Sequence, residues 1–419
     1  MEIDELEKRV NTYLNKKIPE IVSRALDKQD KVAMETCKAT IRQFLQEQRL
    51  TLPGISLDQT ERIMYENLIG YGPLTEFIDK AVERRITEIK VRGQNEIYTK
   101  EHGEWKFQPH ARFRSWDHLS AIVNRILASS DKPLNESQAF VDNAELPDGS
   151  RVAMVRDPLT KSGLIMNIRI FTAGLYSPDA LLKMRAVTEV QDQVLQFMVR
   201  ARMNLLWVGG TDTGKTTAMG AYLTCHSPKT HIITIEDSNE LQLKARHPEL
   251  NVDDLFTKKD AVTHIDLFHL TLRMSPDLYI FNEIRTAPET AVLLSAQISG
   301  HPGSGSTVHA EDERRAMTRL TNNLREDDKT LAPEFAREKV SEAVDAFVIV
   351  RRIEGVRFIS DIVEPIWNND TKQIEYHKVF DRKTFEDTGC FNGFTPGFID
   401  LARRRNSVGN AEIERWDHA

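Results

Sequence analysis

The stretch LLWVGGTDTGKTTAMGAYL, Leu205 to Leu223, restricts the fold more than any other part of the chain. Gly209, Gly214, Lys215 and Thr216 fit G-x-x-x-x-G-K-[ST]. The apolar run Leu205–Val208 reads as a short buried strand, and the residues from Lys215 onward tolerate a helix. A strand, a glycine-bearing turn and a helix in that order bring backbone N–H groups around a phosphate chain. The positive end of the helix dipole then favours the anion. The expected phosphate cradle is Gly209, Gly210, Thr211, Asp212, Thr213 and Gly214. Lys215 is expected at the β- and γ-phosphates, the Thr216 hydroxyl on Mg²⁺ and Thr217 at the α-phosphate.

The chain has 419 residues, which suggests two or three domains. Its formal net charge of -7 argues against a dedicated nucleic-acid binder, which presents a basic face. Cys37, Cys225 and Cys390 lie far apart and form no C-x-x-C pair. They suggest neither a zinc ribbon nor a disulfide scaffold, and fit a reducing cytosol. The opening MEIDELEKRV lacks the apolar centre of a signal peptide. No apolar run approaches the ~18 residues of a membrane-spanning helix, so a membrane role is expected to be peripheral and through partners.

Four segments are expected. Residues 1–55 are polar and helix-favouring, with Leu6, Val10 and Leu14 on one face, and read as a loosely packed helical extension. Residues 56–178 open with a capping box at Ser56 and Gln59 and continue as a small α/β domain, with a linker at Tyr176–Asp179. Residues 179–378 alternate helices with the apolar runs NLLWVGG, HIITIED, DLYIFNE, STVHA and DAFVIVRR. That alternation implies a mostly parallel sheet covered by helices. Residues 379–419, with Gly389, Gly393 and Gly397, read as a loop-rich tail.

Ligands of open parallel sheets bind at the carboxyl ends of the strands. HIITIED delivers Glu236 and Asp237 to such an end, DLYIFNE delivers Asn282 and Glu283, and GSTVHA delivers His309. Phosphoryl transfer needs little beyond positioning and electrostatic stabilisation. Glu283 is the candidate for orienting and polarising the attacking water. Glu236 is expected to hold that water or a Mg²⁺-bound water, with Asp237 in support, and His309 to sense the γ-phosphate or to link the site to a neighbour. Lys215 supplies one positive charge; Arg151 and Arg169 of the smaller domain, and Arg285, are candidates for more. Each of the three arginines also reads as a surface or ion-pair arginine, Arg285 equally well, and Arg151 and Arg169 as partners of carboxylates in their own sheet.

Four motifs carry a resemblance. GGTDTGKTT resembles a Walker A loop, TIEDSNELQL (Thr234–Leu243) an acidic Asp box, LRMSPDLYIFNEIR (Leu272–Arg285) an unusual Walker B, and GHPGSGSTVHA (Gly300–Ala310) a His box. Together they resemble the ATPases of the type II/type IV secretion superfamily, closest to its Tad (Flp) pilus assembly branch. LIGYGPLTEFI, TEIKVRG, VDNAELPDGSRV and NIRIF resemble that family's N-terminal domain. The resemblance implies an α/β fold: a RecA-like P-loop ATPase domain with a smaller N-terminal α/β domain and a helical N-terminal extension. It implies ATP with Mg²⁺ between the two domains, Arg151 and Arg169 over the phosphates, and a homohexamer. It further implies ring motions that drive polytopic platform proteins from the cytoplasmic face of the inner membrane. Asn282 stands where family members commonly have Gly, and no tetracysteine cluster is present.

The function so implied is a hexameric motor ATPase for pilus assembly or protein secretion. A conjugative type IV secretion ATPase is the first alternative and a nucleic-acid translocase a weaker one, since no aromatic-basic stripe is evident and no nucleic-acid partner is expected. The basic run ARRRN, Ala402–Asn406, reads as a solvated surface.

Overall fold

The computed structural model describes residues 1–28, 30–128, 133–170, 177–258 and 261–417. The chain divides into two compact units, Met1–Thr172 and Ala173–Ala419.

The first unit begins with helices Ile3–Lys17, Pro19–Lys28, Lys31–Glu47 and Leu57–Leu68. Leu6, Val10 and Leu14 are fully buried on one face, as their spacing predicts. They join Cys37, Ile41, Leu45 and Met64 in one apolar cluster. The extension is therefore well packed, and its cluster runs through residue 55 into the fourth helix. The Ser56–Gln59 capping box is present in both directions.

Strands β1 (Ile86–Arg92), β2 (Glu96–Glu101), β3 (Glu104–Phe107), β4 (Phe140–Glu145), β5 (Arg151–Arg156) and β6 (Leu164–Arg169) follow. They form an antiparallel sheet ordered β3-β2-β1-β6-β5-β4. Helix Trp116–Leu127 joins its core through Leu119, Ile122 and Ile126. Tyr176 of the expected linker lies outside the described residues. Ser177 caps helix Pro178–Lys183, so the end of that linker is already structured.

The second unit is built on β7 (Leu205–Gly209), β8 (Ile232–Glu236), β9 (Val252–Phe256), β10 (Leu278–Glu283), β11 (Gly305–His309), β12 (Ala346–Ile353), β13 (Val356–Asn368), β14 (Gln373–Asp381) and β15 (Cys390–Phe391). The sheet order is β15-β14-β13-β12-β7-β11-β10-β8-β9. Pairings from β12 through β7, β11, β10 and β8 to β9 are parallel, and those of β13 with β12 and β14 are antiparallel. Leu205 and Trp207 belong to the core on one face of the sheet, and Leu206 and Val208 to the core on the other. A strand buried on both faces has no polar alternation, which is why LLWV is apolar throughout. Each such side chain contributes about 1.5–3 kcal/mol by burial.

Residues beyond Val379 do not form the loop-rich tail expected of them. Phe398, Ile399 and Ala402 of helix Pro396–Arg405, and Ile413 and Trp416 of helix Asn410–Asp417, pack into the Leu205 side of the core. The basic run is partly absorbed as well. Arg405 pairs with Asp345 at 2.5 Å with its side chain only 12% exposed, and Arg403 pairs with Asp400 and Asp417. The amphipathic spacing of the two helices, masked by intervening glycines, accounts for the difference. Among the described residues no helix is long and apolar enough to cross a membrane.

Candidate active site

The loop after β7 turns as its glycines require. A Cβ on Gly209 would lie 2.4 Å from the Val350 carbonyl oxygen and 2.6 Å from Thr213 Oγ1, so the position admits only glycine. Asp212 and Gly214 take positive φ, 61° and 95°, a region open to Gly and tolerated by Asp. Helix Lys215–Leu223 begins immediately and aims the N–H groups of its first turn, and its positive dipole end, at the loop. Thr216 and Thr217 are half-buried in that turn. Thr213 Oγ1 donates to the Gly210 carbonyl at 3.0 Å. The buried Lys215 Nζ donates to the same carbonyl at 2.8 Å.

The parallel register brings the other candidates to this edge. His309, at the end of β11, is the direct partner of Gly209. Glu283, at the end of β10, pairs with Thr307. Lys215 Nζ lies 3.4 Å from His309 Nδ1, and His309 Nε2 lies 3.3 Å from Glu283 Oε1. Burial and the Lys215 ammonium lower the His309 pKa, which Glu283 only partly offsets, so the ring is neutral at pH 7. Lysine can only donate, so Nδ1 accepts and Nε2–H faces the carboxylate. Burial pushes the Glu283 carboxyl up, but Arg285, His309 and Lys215 outweigh it and hold the group below its ordinary value. Glu283 is thus an ionised, oriented carboxylate.

Arg285 is an integral part of this network. Its NH2 lies 2.9 Å from Glu283 Oε2 and its NH1 3.6 Å from Asp237 Oδ2. Asp237 also accepts from Thr257 Oγ1 at 2.9 Å and faces His264 at 3.5 Å. Arg319 donates to the His309 carbonyl at 2.7 Å and so anchors the end of β11.

Glu236 is fully buried at the end of β8. Its Oε2 accepts from the N–H groups of Glu240 (3.0 Å) and Leu241 (2.9 Å). Its Oε1 is buried and has no hydrogen-bond partner among the described residues. Burial pushes its pKa up to about 8 against those two backbone bonds. Asn282 Nδ2 donates to Glu240 Oε2 at 2.9 Å, which gives the Asn at this position a structural use that a glycine would lack.

Arg151 and Arg169 lie in the first unit. They are direct cross-strand partners on β5 and β6. Glu145 on β4 stands opposite Arg151 and Glu88 on β1 opposite Arg169.

Two residues escaped the sequence reading. Arg352 NH1 lies 2.7 Å from Asp212 Oδ2, and Arg357 NH2 lies 2.7 Å from Asp212 Oδ1. Arg357 Nε also donates to the Asp212 carbonyl at 2.9 Å. The only local signal was an acidic residue inside a loop designed for anions; its partners are 140 and 145 residues further on.

The loop, the helix terminus and Lys215 together form a cradle for a phosphate chain. Among the described residues no group of three or more His, Cys, Asp or Glu is arranged to hold a metal. The Thr216 hydroxyl fits a Mg²⁺ carried mainly by phosphate oxygens.

The chain resembles known proteins in sequence and in fold. The family described as "Type II/IV secretion system protein" matches residues 73–356, more than half of the chain. The conjugal transfer protein TrbB of Rhizobium radiobacter is 29% identical over 239 residues, covering 56% of this chain and 71% of TrbB. The type IV secretion system protein PtlH of Bordetella pertussis is 27% identical over 314 residues, covering 68% of this chain and 91% of PtlH. In fold, the chain is similar to the pilus retraction motor PilT solved with bound ADP. The TM-score is 0.54 at 20% identity, covering 71% of this chain and 84% of that one. With its RecA-like P-loop unit, smaller α/β sheet and helical extension, the chain belongs to the type II/IV secretion system protein family, a superfamily of secretion ATPases.

Proposed function

We propose that the chain is a motor ATPase that hydrolyses ATP to drive pilus assembly or protein secretion. The observation that carries this reading is the continuous Lys215–His309–Glu283–Arg285 network beside the phosphate loop. Lys215 and the loop N–H groups hold the phosphates, and Thr216 holds Mg²⁺. Bound with Mg²⁺, ATP supplies the phosphoanhydride bond whose hydrolysis powers the work. Glu283 orients the attacking water and takes its proton; its lowered pKa makes it a positioning carboxylate more than a strong base. His309 donates Nε2–H to Glu283 and connects it to Lys215, so the carboxylate registers how the lysine is engaged. The unpartnered Oε1 of Glu236 is available to a water beside the same strand ends. Arg151 and Arg169 are assigned to offset charge on the phosphates, as the family resemblance implies, which would tie turnover to motion of the smaller domain.

The motor works as a homohexamer at the cytoplasmic face of the inner membrane, on polytopic platform proteins, and belongs nearest the Tad pilus branch. The working domain division is 1–55, 56–178, 179–378 and 379–419, with the last segment packed on the ATPase core. A conjugative type IV role is the second reading, supported by the TrbB and PtlH relatives. Phosphate release by the purified chain, with Lys215→Ala as control, tests the chemistry. Sedimentation with a non-hydrolysable ATP analogue tests the ring, and a monomer at micromolar concentration counts against it. The membrane protein that co-purifies separates the pilus and conjugative readings.

A further inference from the structure

The carboxylate of Asp212 opposes its surroundings. A phosphate loop presents N–H groups and positive potential to an anion, and a fixed negative charge within it repels the ligand. Two arginines cancel that charge, one on each carboxylate oxygen, both at 2.7 Å. They come from the β12–β13 hairpin, where Arg352 and Arg357 are direct cross-strand partners next to the Glu354–Gly355 turn. Like charges facing each other destabilise a hairpin, and Asp212 is the anion between them. Arg357 also crosses the far end of the loop, its Cδ 3.4 Å from where a Cβ of Gly214 would lie. The hairpin tip is therefore fastened to the loop's carboxylate, to its Asp212 carbonyl and beside its last glycine.

We propose that the β12–β13 hairpin is an electrostatic latch that sets nucleotide affinity through Asp212. Docked, the three side chains present a net charge of about +1 beside the phosphates; undocked, Asp212 alone presents about -1. At an effective dielectric near 20, one unit charge several ångströms from a phosphate changes affinity on the order of 10- to 100-fold. Movement of the hairpin would thus release nucleotide without disturbing Lys215, Thr216 or Glu283. The inference rests on the reading that this loop holds ATP.

The test is equilibrium binding of a fluorescent ADP analogue to the full chain, with the melting temperature recorded without nucleotide. Arg352→Gln with Arg357→Gln should weaken binding about tenfold or more. Asp212→Asn tolerates the same positive φ, so it removes charge without changing the backbone, and it should tighten binding. The triple variant carries a net charge of about 0, midway between the double variant and wild type, so it should bind about tenfold or more tighter than the double variant and remain weaker than wild type. An ion pair that only shapes the loop predicts otherwise: Asp212→Asn would weaken binding as the arginine variants do, and the triple variant would be no better. That result overturns the latch, as does unchanged binding in the arginine double variant. If the double variant gives no cooperative melt, Arg352→Gln alone, with and without Asp212→Asn, is judged by the same criterion. A wild-type chain that fails to bind the analogue overturns the ATP reading itself, and the latch with it.

Discussion

Two cross-strand arginine pairs, one in each unit, share a local geometry and differ in how their charge is balanced. Arg151 faces Arg169 across β5 and β6, and Arg352 faces Arg357 across β12 and β13. In the first pair Glu145 stands opposite Arg151 in the same sheet, and Glu88 stands opposite Arg169 while pairing with Lys100 at 2.7 Å. The second pair lies beyond the last registered partners of the flanking strands, Ile349 with Val208 and Asp361 with Asp381. Its carboxylate comes from the phosphate loop. A pair balanced inside its own sheet is satisfied whatever the loop does. A pair balanced by the loop makes the loop part of its own stability.

The comparison needs a chemical baseline, and the largest expected effect supplies it. Glu283→Gln should slow hydrolysis by about 10²-fold or more while nucleotide affinity stays near wild type. Lys215→Ala should lose affinity instead. Phosphate release and analogue binding separate the two. Wild-type hydrolysis in Glu283→Gln would remove the assigned base, and turnover could no longer rank the arginine pairs.

A third carboxyl sharpens the contrast. Asp212 has two cations, whereas Glu236 is buried against backbone N–H groups with no cation among its hydrogen-bond partners. Burial raises its folded pKa from 4.5 to about 8. Between those values the folded chain keeps a proton that the unfolded chain has lost. Stability should therefore be greatest below about pH 4.5 for this group and fall as pH rises towards 8. The loss should reach about 2 kcal/mol or more, since each tenfold change in proton affinity is worth about 1.36 kcal/mol. Glu236→Gln should flatten the difference in denaturant midpoint between pH 5 and pH 8. An unchanged difference would assign the slope to another group.

These contrasts explain what was legible in the sequence. The phosphate loop was readable because its requirements are local: an apolar strand, glycines where Gly209 and Gly214 must turn, and a lysine at the helix start. The strand ends at Glu236, Glu283 and His309 were readable because parallel strands share a carboxyl edge. The partners of Asp212 were not, since they depend on the register of a hairpin 140 residues away. The neutral state of His309 was also hidden, because it follows from Lys215 and burial together. The C-terminal helices were misread because Gly389, Gly393 and Gly397 dominated a pattern whose apolar residues, Phe398 and Trp416, meet only in three dimensions.

The next prediction sets turnover against affinity. Arg169 is exposed, so Arg169→Ala should leave the nucleotide-free melting temperature nearly unchanged. Its proposed role in offsetting phosphate charge predicts that turnover at saturating ATP falls about tenfold or more. ATP should also stabilise this variant less than wild type. The Arg352 and Arg357 variants should move affinity first. If Arg169→Ala changes affinity but not saturating turnover, the two pairs act alike and the proposed division of labour fails.

The smallest effect decides whether the first pair is balanced within its sheet. Glu145 is partly buried, and burial raises its pKa against the opposing charge of Arg151. Removing Arg151 leaves that carboxyl without its facing cation, and an unpaired, partly desolvated charge costs more than the pair contributed. With half the pair in solvent, Arg151→Ala should cost about 0.5–1 kcal/mol, a shift of a few degrees in melting temperature without nucleotide. Glu145→Gln in the same background should recover part of it, because the charge that lost its partner is then absent. Differential scanning calorimetry of the two variants and their combination measures the coupling directly. If Arg151→Ala melts like wild type and Glu145→Gln adds nothing, Glu145 does not balance Arg151. Both arginine pairs would then be held for an anion outside their own sheets, and the contrast between the two units would reduce to which anion each one meets.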